Sequence, residues 1–261
     1  MTNTGEAAAR AGNEAGLSSA TLSVKKAAVL GAGTMGAAIA AHLSNAGIPT
    51  LLLDIAPSEL TPDEAAKGLS LDAPAVRNRI VSQLFDASKK LKPAPFMLAK
   101  NAGLITIGNF ADDISKLKDC DLVIEAVVEN LEIKHRLFAE VEKNQKPGAI
   151  IASNTSGIPI RSIAEPFSDD FKKHFVGVHF FNPPRYMKLV EVIPTEWTDG
   201  EMACKLSGFL DRRLGKGVVS AKDRPNFIAN RVGTFGMMAT VHEMIAMGFT
   251  PTEIDQITGK A

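Results

Sequence analysis

The stretch AAVLGAGTMGAAIAAHLSNAG, residues 27–47, decides the fold. Its first residues, AAVLG (27–31), are a short apolar run of strand character. GAGTMG, Gly31 to Gly36, follows at once and fits G-x-G-x-x-G. The rest predicts a helix, stopped by Gly47. Such a glycine pattern is weak alone, but between a strand and a helix it carries a mechanism. Gly31 permits the tight turn, Gly33 lets a pyrophosphate approach the backbone, and Gly36 lets helix and strand pack closely. The helix start, at Thr34 and Met35, offers free N–H groups and a partial positive charge. An ordinary glycine-rich βα turn is the bland alternative, and the context weighs against it.

Outward from this unit, PTLLLD (49–54) is a second strand. Asp54 closes it, eighteen residues beyond Gly36. A carboxylate there accepts hydrogen bonds from both ribose hydroxyls and repels a 2′-phosphate. No arginine follows in Ile55-Ala56-Pro57, so NAD is favoured over NADP. The alternative for Asp54 is a turn or cap residue. LITIG (104–108), DLVIEAVV (121–128) and AIIAS (149–153) are further strand candidates, residues 62–92 are helical, and NLEIKHRLFAEVEKN (130–144) is an amphipathic helix. Strands alternating with helices predict a Rossmann-type, doubly wound α/β fold with a mostly parallel sheet.

Past residue 174 the texture changes. KHFVGVHFF and MKLVEVIP are strands joined by the NPPRY turn. A helix near 199–213, the strand GKGVVSAKD and a break at Arg224-Pro225 follow. NFIANRVGTFGMMATVHEMIAMG then predicts one long helix whose apolar residues cover more than one face. We expect three regions: a disordered tail over 1–23, a Rossmann domain over 24–223, and the start of an all-helical C-terminal domain over 224–261. The uncovered helix predicts either a piece of a longer protein or a homodimer contact.

Bulk composition excludes several classes. The chain has 261 residues, 45% hydrophobic, and 29 basic residues against 29 acidic ones. Balanced charge gives no overall field for nucleic acid or an anionic membrane. No apolar run is long enough to span a bilayer. Cys120 and Cys204 belong to no ligand cluster, so no metal site is expected, and a cytoplasmic location fits.

A dinucleotide raises the value of polar groups at the carboxyl ends of the strands. Glu129, Asn130 and Lys134 lie just past DLVIEAVV. SNTSG, with Asn154 and Ser156, lies at the end of AIIAS. Ser153 or Thr155 as a helix cap, and Lys134 as a solvated helix residue, are equal alternatives. Alcohol oxidation also needs a base for the hydroxyl proton. Among five histidines only His179 ends a strand with polar neighbours; His174 is placed at a strand start and the others on helices. Glu191 lies across the proline turn, where cross-strand neighbours approach to about 5 Å. A carboxylate there fixes the tautomer of the ring and stabilises its charged form.

Together GAGTMGAAIA, DLVIEAVVENLEIK, ASNTSG, HFFNPPRYMKLVEVI and RPNFIANR resemble the 3-hydroxyacyl-CoA dehydrogenase family. NTSGIPI, SDDFKKHF and LGKGVVSAKD are most similar to the long bacterial multifunctional fatty-acid oxidation proteins. The resemblance implies NAD-dependent oxidation of (3S)-3-hydroxyacyl-CoA in β-oxidation. It implies His179 as general base with Glu191 as its partner, and Ser156 on the substrate's 3-oxygen. It implies Asn182 near nicotinamide and thioester, Asn230 closing the pocket from the helical region, and Glu129 and Lys134 on the cofactor. Asn154, in the same motif, is grouped with the cofactor contacts. Lys89, Lys90 and Lys92 are a charge run with no CoA role transferred. Two alternatives stay open: a dehydrogenase of small β-hydroxy acids, and an NAD-binding module without turnover.

Overall fold

The computed structural model describes residues 22–259. Residues 1–21 of the expected tail lie outside the described residues. Eight strands form one sheet: β1 (Ala27–Leu30), β2 (Thr50–Asp54), β3 (Ile105–Asn109), β4 (Leu122–Glu125), β5 (Ile150–Ser153), β6 (Phe175–Phe180), β7 (Leu189–Ile193) and β8 (Gly217–Ser220). Their spatial order is β3-β2-β1-β4-β5-β6-β7-β8. Strands β1 to β6 run parallel, and β7 turns back antiparallel to β6 and carries β8 parallel to itself. The chain leaves β1 toward β2 and β3, then returns to build β4 to β6 on the other side. The reversal opens a crevice between β1 and β4, outside their carboxyl ends, where open α/β sheets hold ligands.

The helices are α1 (Thr34–Asn45), α2 (Pro62–Ala66), α3 (Pro74–Arg77), α4 (Arg79–Ser88), α5 (Phe110–Asp113), α6 (Leu131–Asn144), α7 (Ile160–Ala164), α8 (Asp169–His174), α9 (Gly200–Leu214), α10 (Ala229–Met247) and α11 (Pro251–Thr258). Both faces of the sheet are covered, which is why the central strands read as unbroken apolar runs. One face packs Ile39, Leu43, Phe85, Leu206 and Phe209 against alternate strand residues such as Val29 and Val178. The other packs Phe138, Ile160, Ile163 and Phe171 against Leu30, Ile151 and Phe175. Phe138, Phe171 and Phe175 form an aromatic cluster with centroids 5.1–5.9 Å apart, a spacing that adds to plain burial.

Several local expectations are corrected. The helical segment 62–92 is three short helices, because Pro74 and the turn before it interrupt the pattern. DLVIEAVV stops pairing at Glu125, because the Glu125 carboxylate takes the Val127 N–H (2.7 Å) and turns the backbone out of the sheet. His174 closes α8 rather than opening a strand. The late helix starts at Ala229, not Asn226, because Asn226 and Phe227 sit at φ 63° and 49°. That helix is open to solvent: Phe235 is 76% exposed and Ile245 71%. Among the described residues no helix is long and apolar enough to cross a membrane.

His42 lies on the buried face of α1 with neither ring nitrogen hydrogen-bonded among the described residues. Burial, reinforced by the nearby charges of Lys216 and Arg185, lowers its pKa from 6.5 to about 4. The folded chain therefore holds His42 neutral over a range where the unfolded chain protonates it. Stability from this residue is complete above pH 6.5 and is lost as pH falls toward 4, by about 3 kcal/mol in all. Urea unfolding of the protein and of His42→Leu across pH 4–7 tests this: the variant loses most of the acid slope, and an unchanged slope refutes the assignment.

Candidate active site

The glycine turn follows directly from backbone sterics. Gly31 sits at φ +98°, and a Cβ there would come within 2.7 Å of the Ala126 carbonyl oxygen. A Cβ on Gly36 would meet the Gly31 carbonyl oxygen at 1.8 Å. Gly33 differs: a Cβ there meets nothing within 4 Å. This is the free space a pyrophosphate needs over the turn. The first turn of α1 has neither a side-chain cap nor an acidic residue, so the amide groups around Thr34 and Met35 keep their affinity for an anion. Asp54 closes β2 beside this turn. Its Oδ2 accepts from Ala32 N (2.6 Å) and its Oδ1 from Ile55 N (2.7 Å). The turn-residue reading of Asp54 thus holds structurally, with the residue half-buried. These residues fit a dinucleotide.

At the ends of β4 and β5 the expected polar groups form one network. Lys134 is buried, 1% exposed, so the solvated-residue alternative fails. Its Nζ donates to Glu125 Oε1 (2.6 Å) and lies 3.3 Å from Glu129 Oε2. Glu129 Oε1 accepts from Ser156 N (3.0 Å), Gly157 N (3.1 Å) and the Thr155 hydroxyl. Burial alone would raise the Glu129 carboxyl. The Thr155 hydroxyl, the Lys134 charge and the two amides together hold it below the usual glutamate range. Asn154 turns inward, its Oδ1 accepting from Phe180 N (2.9 Å), and so ties the end of β6 to β5. Thr155 Oγ1 accepts from Ile158 N, but α7 starts later, at Ile160, with its first amides on the Asp223 carboxylate.

His179 and Glu191 are directly paired in the β6–β7 ladder. His179 Nδ1 lies 2.8 Å from Glu191 Oε2, with the residues 5% and 1% exposed. A carboxylate accepting at Nδ1 leaves Nε2 as the free nitrogen of the neutral ring. Glu191 Oε1 accepts from Ile228 N (3.0 Å) and Ala229 N (2.8 Å), the start of α10. The Phe181 and Phe227 rings flank the imidazole at 4.5 and 5.7 Å. Asn230, one residue further on, donates to the Ser156 carbonyl oxygen at 3.4 Å. Ser156 itself is exposed on its loop. Asn182 is exposed at the head of the turn, before the cis bond to Pro183, and among the described residues makes no side-chain hydrogen bond to the other candidates. The structure thus joins His179, Glu191 and α10 in one group and Glu125, Lys134, Glu129 and the Ser156 loop in another, with Asn230 touching both elements.

Residues 26–224 match the family model described as 3-hydroxyacyl-CoA dehydrogenase, NAD binding domain. The chain belongs to this family. A Bacillus subtilis protein described as a probable 3-hydroxyacyl-CoA dehydrogenase is 54% identical over 236 residues, covering 90% of this chain and 30% of its own length. A Deinococcus radiodurans protein of the same description is 49% identical, covering 92% and 65%. Among solved structures, (S)-3-hydroxybutyryl-CoA dehydrogenase PaaH1 from Ralstonia eutropha superposes with a TM-score of 0.67 at 28% identity, over 90% of this chain and 76% of that one. The chain therefore spans less than two thirds of the length of these two curated relatives.

Two features of this family member escaped the sequence reading. Glu125 stands inside the apolar run LVIEAV, and a lone acid in a central parallel strand was the available signal. Lys216 lies under the proline turn, buried, with its Nζ donating to the Pro184 carbonyl and to the Met187 carbonyl (2.9 Å); burial lowers its pKa to about 8. Nothing in GKGVV marks that lysine from sequence. Lys89 pairs with Asp86 on the surface. Among the described residues no group of His, Cys, Asp and Glu is arranged to hold a metal ion.

The turn makes a contrast between glycines. Gly33→Val adds carbons only to open space, so the thermal midpoint stays within a few degrees while NADH affinity falls at least about tenfold, near 1.4 kcal/mol. Gly36→Val drives carbon into the Gly31 carbonyl and costs about 3 kcal/mol of stability. Thermal melts with NADH fluorescence titration check both. Full NADH affinity in Gly33→Val removes the pyrophosphate assignment.

Proposed function

We propose that this chain carries out the NAD-dependent oxidation of (3S)-3-hydroxyacyl-CoA to 3-ketoacyl-CoA, as a step of fatty-acid β-oxidation. The observation that carries the reading is the 2.8 Å contact between His179 Nδ1 and Glu191 Oε2. His179 Nε2 takes the proton of the 3-hydroxyl group. Glu191 keeps the opposite nitrogen protonated, holds the ring plane, and offsets the positive charge that the ring gains. Bound NAD supplies the acceptor for the hydride that leaves C3. In reverse, His179 returns the proton to the 3-oxygen.

Ser156, on the loop gripped by Glu129, donates to the substrate's 3-oxygen in this reading. Asn230 closes the pocket from the start of α10, and Asn182 holds the nicotinamide side next to the thioester. Gly31, Gly33, Thr34, Met35 and Gly36 hold the pyrophosphate and Asp54 the ribose. Glu129, Lys134 and Asn154 shape the wall against the cofactor. The relatives' descriptions name acyl-CoA substrates. The same reading includes a homodimer, because α10 exposes Val232, Phe235, Met238 and Ile245 as a face that a second copy would cover. It includes a cytoplasmic location, in keeping with two free cysteines.

NADH oxidation with acetoacetyl-CoA tests the reading, with free acetoacetate as the control substrate. His179→Ala lowers kcat by at least about a hundredfold and leaves the Kd for NADH within about twofold. Near-normal turnover in that variant refutes the base assignment. Reduction of acetoacetate alone favours a small-acid dehydrogenase. NADH binding without oxidation favours a binding module.

A further inference from the structure

One buried charge is still unexplained: Glu125, fully buried at the end of β4. It pairs with Leu30 in the sheet, immediately before the glycine turn. An ionised carboxylate at that depth is costly unless each oxygen is satisfied. Here Oε1 accepts from Lys134 Nζ (2.6 Å) and Val127 N (2.7 Å), and Oε2 accepts from Ser153 Oγ (2.6 Å). Two chains of contacts leave these atoms, and both reach the same loop. One runs through Lys134 to Glu129 Oε2 (3.3 Å) and then to the Ser156 and Gly157 amides. The other runs through Ser153 Oγ, which accepts from Thr155 N (3.3 Å).

We propose that Glu125 is a positioning residue that fixes the Ser156 loop relative to the glycine turn, through Lys134–Glu129 on one side and Ser153 on the other. This rests on the reading of Ser156 as a substrate contact. The charge is what the network needs. Three donors converge on two oxygens, one of them a cation. An amide with its oxygen toward Lys134 and Val127 removes the negative charge beside the lysine, and its NH2 group then meets Ser153 Oγ as a donor, so the Ser153 hydroxyl loses its acceptor. With Glu125 neutral, Glu129 is the sole anion beside the buried Lys134. Glu129 is then drawn toward the lysine, and its grip on the Ser156 and Gly157 amides loosens. The glycine turn keeps its own contacts, since Ala32 and Ala126 N are held by Asp54 and Leu30.

Glu125→Gln tests this with two separate readouts. Amide hydrogen exchange over residues 154–158 accelerates at least about tenfold, a 1.4 kcal/mol loosening, while α1 stays protected. In acetoacetyl-CoA reduction kcat falls at least tenfold, by more than the KM for NADH rises, because Lys134 and Glu129 also face the cofactor in the proposed reading. Unchanged exchange at Ser156 and Gly157 overturns the proposal, and so does equal loss of NADH binding and kcat. Should Glu125→Gln not fold, Ser153→Ala decides, since it keeps the charge and cuts one chain: faster exchange at the Ser156 and Gly157 amides, which Ser153 does not touch, supports the proposal and unchanged exchange there refutes it. If the parent protein does not reduce acetoacetyl-CoA, the functional reading fails, while exchange still judges the positioning role.

Discussion

The Glu191 carboxylate is the constraint on which the site depends. One oxygen orients His179 and the other takes the Ile228 amide just before α10 and the Ala229 amide that opens it. Helix starts leave amide donors without partners, and an anion there is stabilised by the helix dipole as well. A single buried side chain therefore ties the sheet, the imidazole and the late helix together. Glu191 is 1% exposed, so truncating its side chain leaves three donors unsatisfied at once. The left-handed residues Asn226 and Phe227 make this possible. They turn the chain sharply before α10, so that its amides arrive over β7.

The reversal of the sheet at β7 supplies the other half of that geometry. In a parallel continuation, residues twelve apart would not stand opposite each other. The antiparallel hairpin makes His179 and Glu191 register partners. The turn between them, with a cis bond before Pro183, is held from two sides. Lys216 holds it from below through the Pro184 and Met187 carbonyls, and Arg185 holds it laterally through the Ala94 and Phe96 carbonyls. The proline turn is thus anchored to β8 and to the segment before β3. Its position is set by two distant parts of the chain.

Much of this was readable because it follows from local rules. Gly31, Gly33 and Gly36 announce the turn by spacing, and the apolar runs announce a sheet covered on both faces. His179 and Glu191 announce themselves through the turn between two strand candidates. Lys134 did not, because an amphipathic helix hides which of its lysines faces inward. Only the buried Glu125, nine positions earlier and on another element, shows why Lys134 is drawn in. Lys216 is similar: its partners are carbonyls of a turn about thirty residues earlier, and carbonyls carry no sequence signal. The boundaries at Glu125 and Ala229 were missed for a related reason. The first is set by a carboxylate that captures a backbone amide, and the second by left-handed Asn226 and Phe227 followed by amides on the Glu191 carboxylate; hydropathy reports neither.

The recurring device in this chain is a carboxylate whose two oxygens serve different partners. Asp54 takes Ala32 and Ile55 amides, Asp223 takes Ile160 and Arg161 amides, and Glu129 joins Lys134 to the Ser156 loop. Most of the donors are neutral backbone groups rather than exposed cations. Such contacts are weakly screened by salt and lose little side-chain entropy, unlike surface ion pairs. They also set local direction, because an amide donates along one line. The carboxyl ends of the strands therefore hold their loops in fixed orientations, while α10 has an open apolar face. These directed contacts are concentrated around the crevice in which open α/β sheets hold ligands, and they reach α10 only at its first residues.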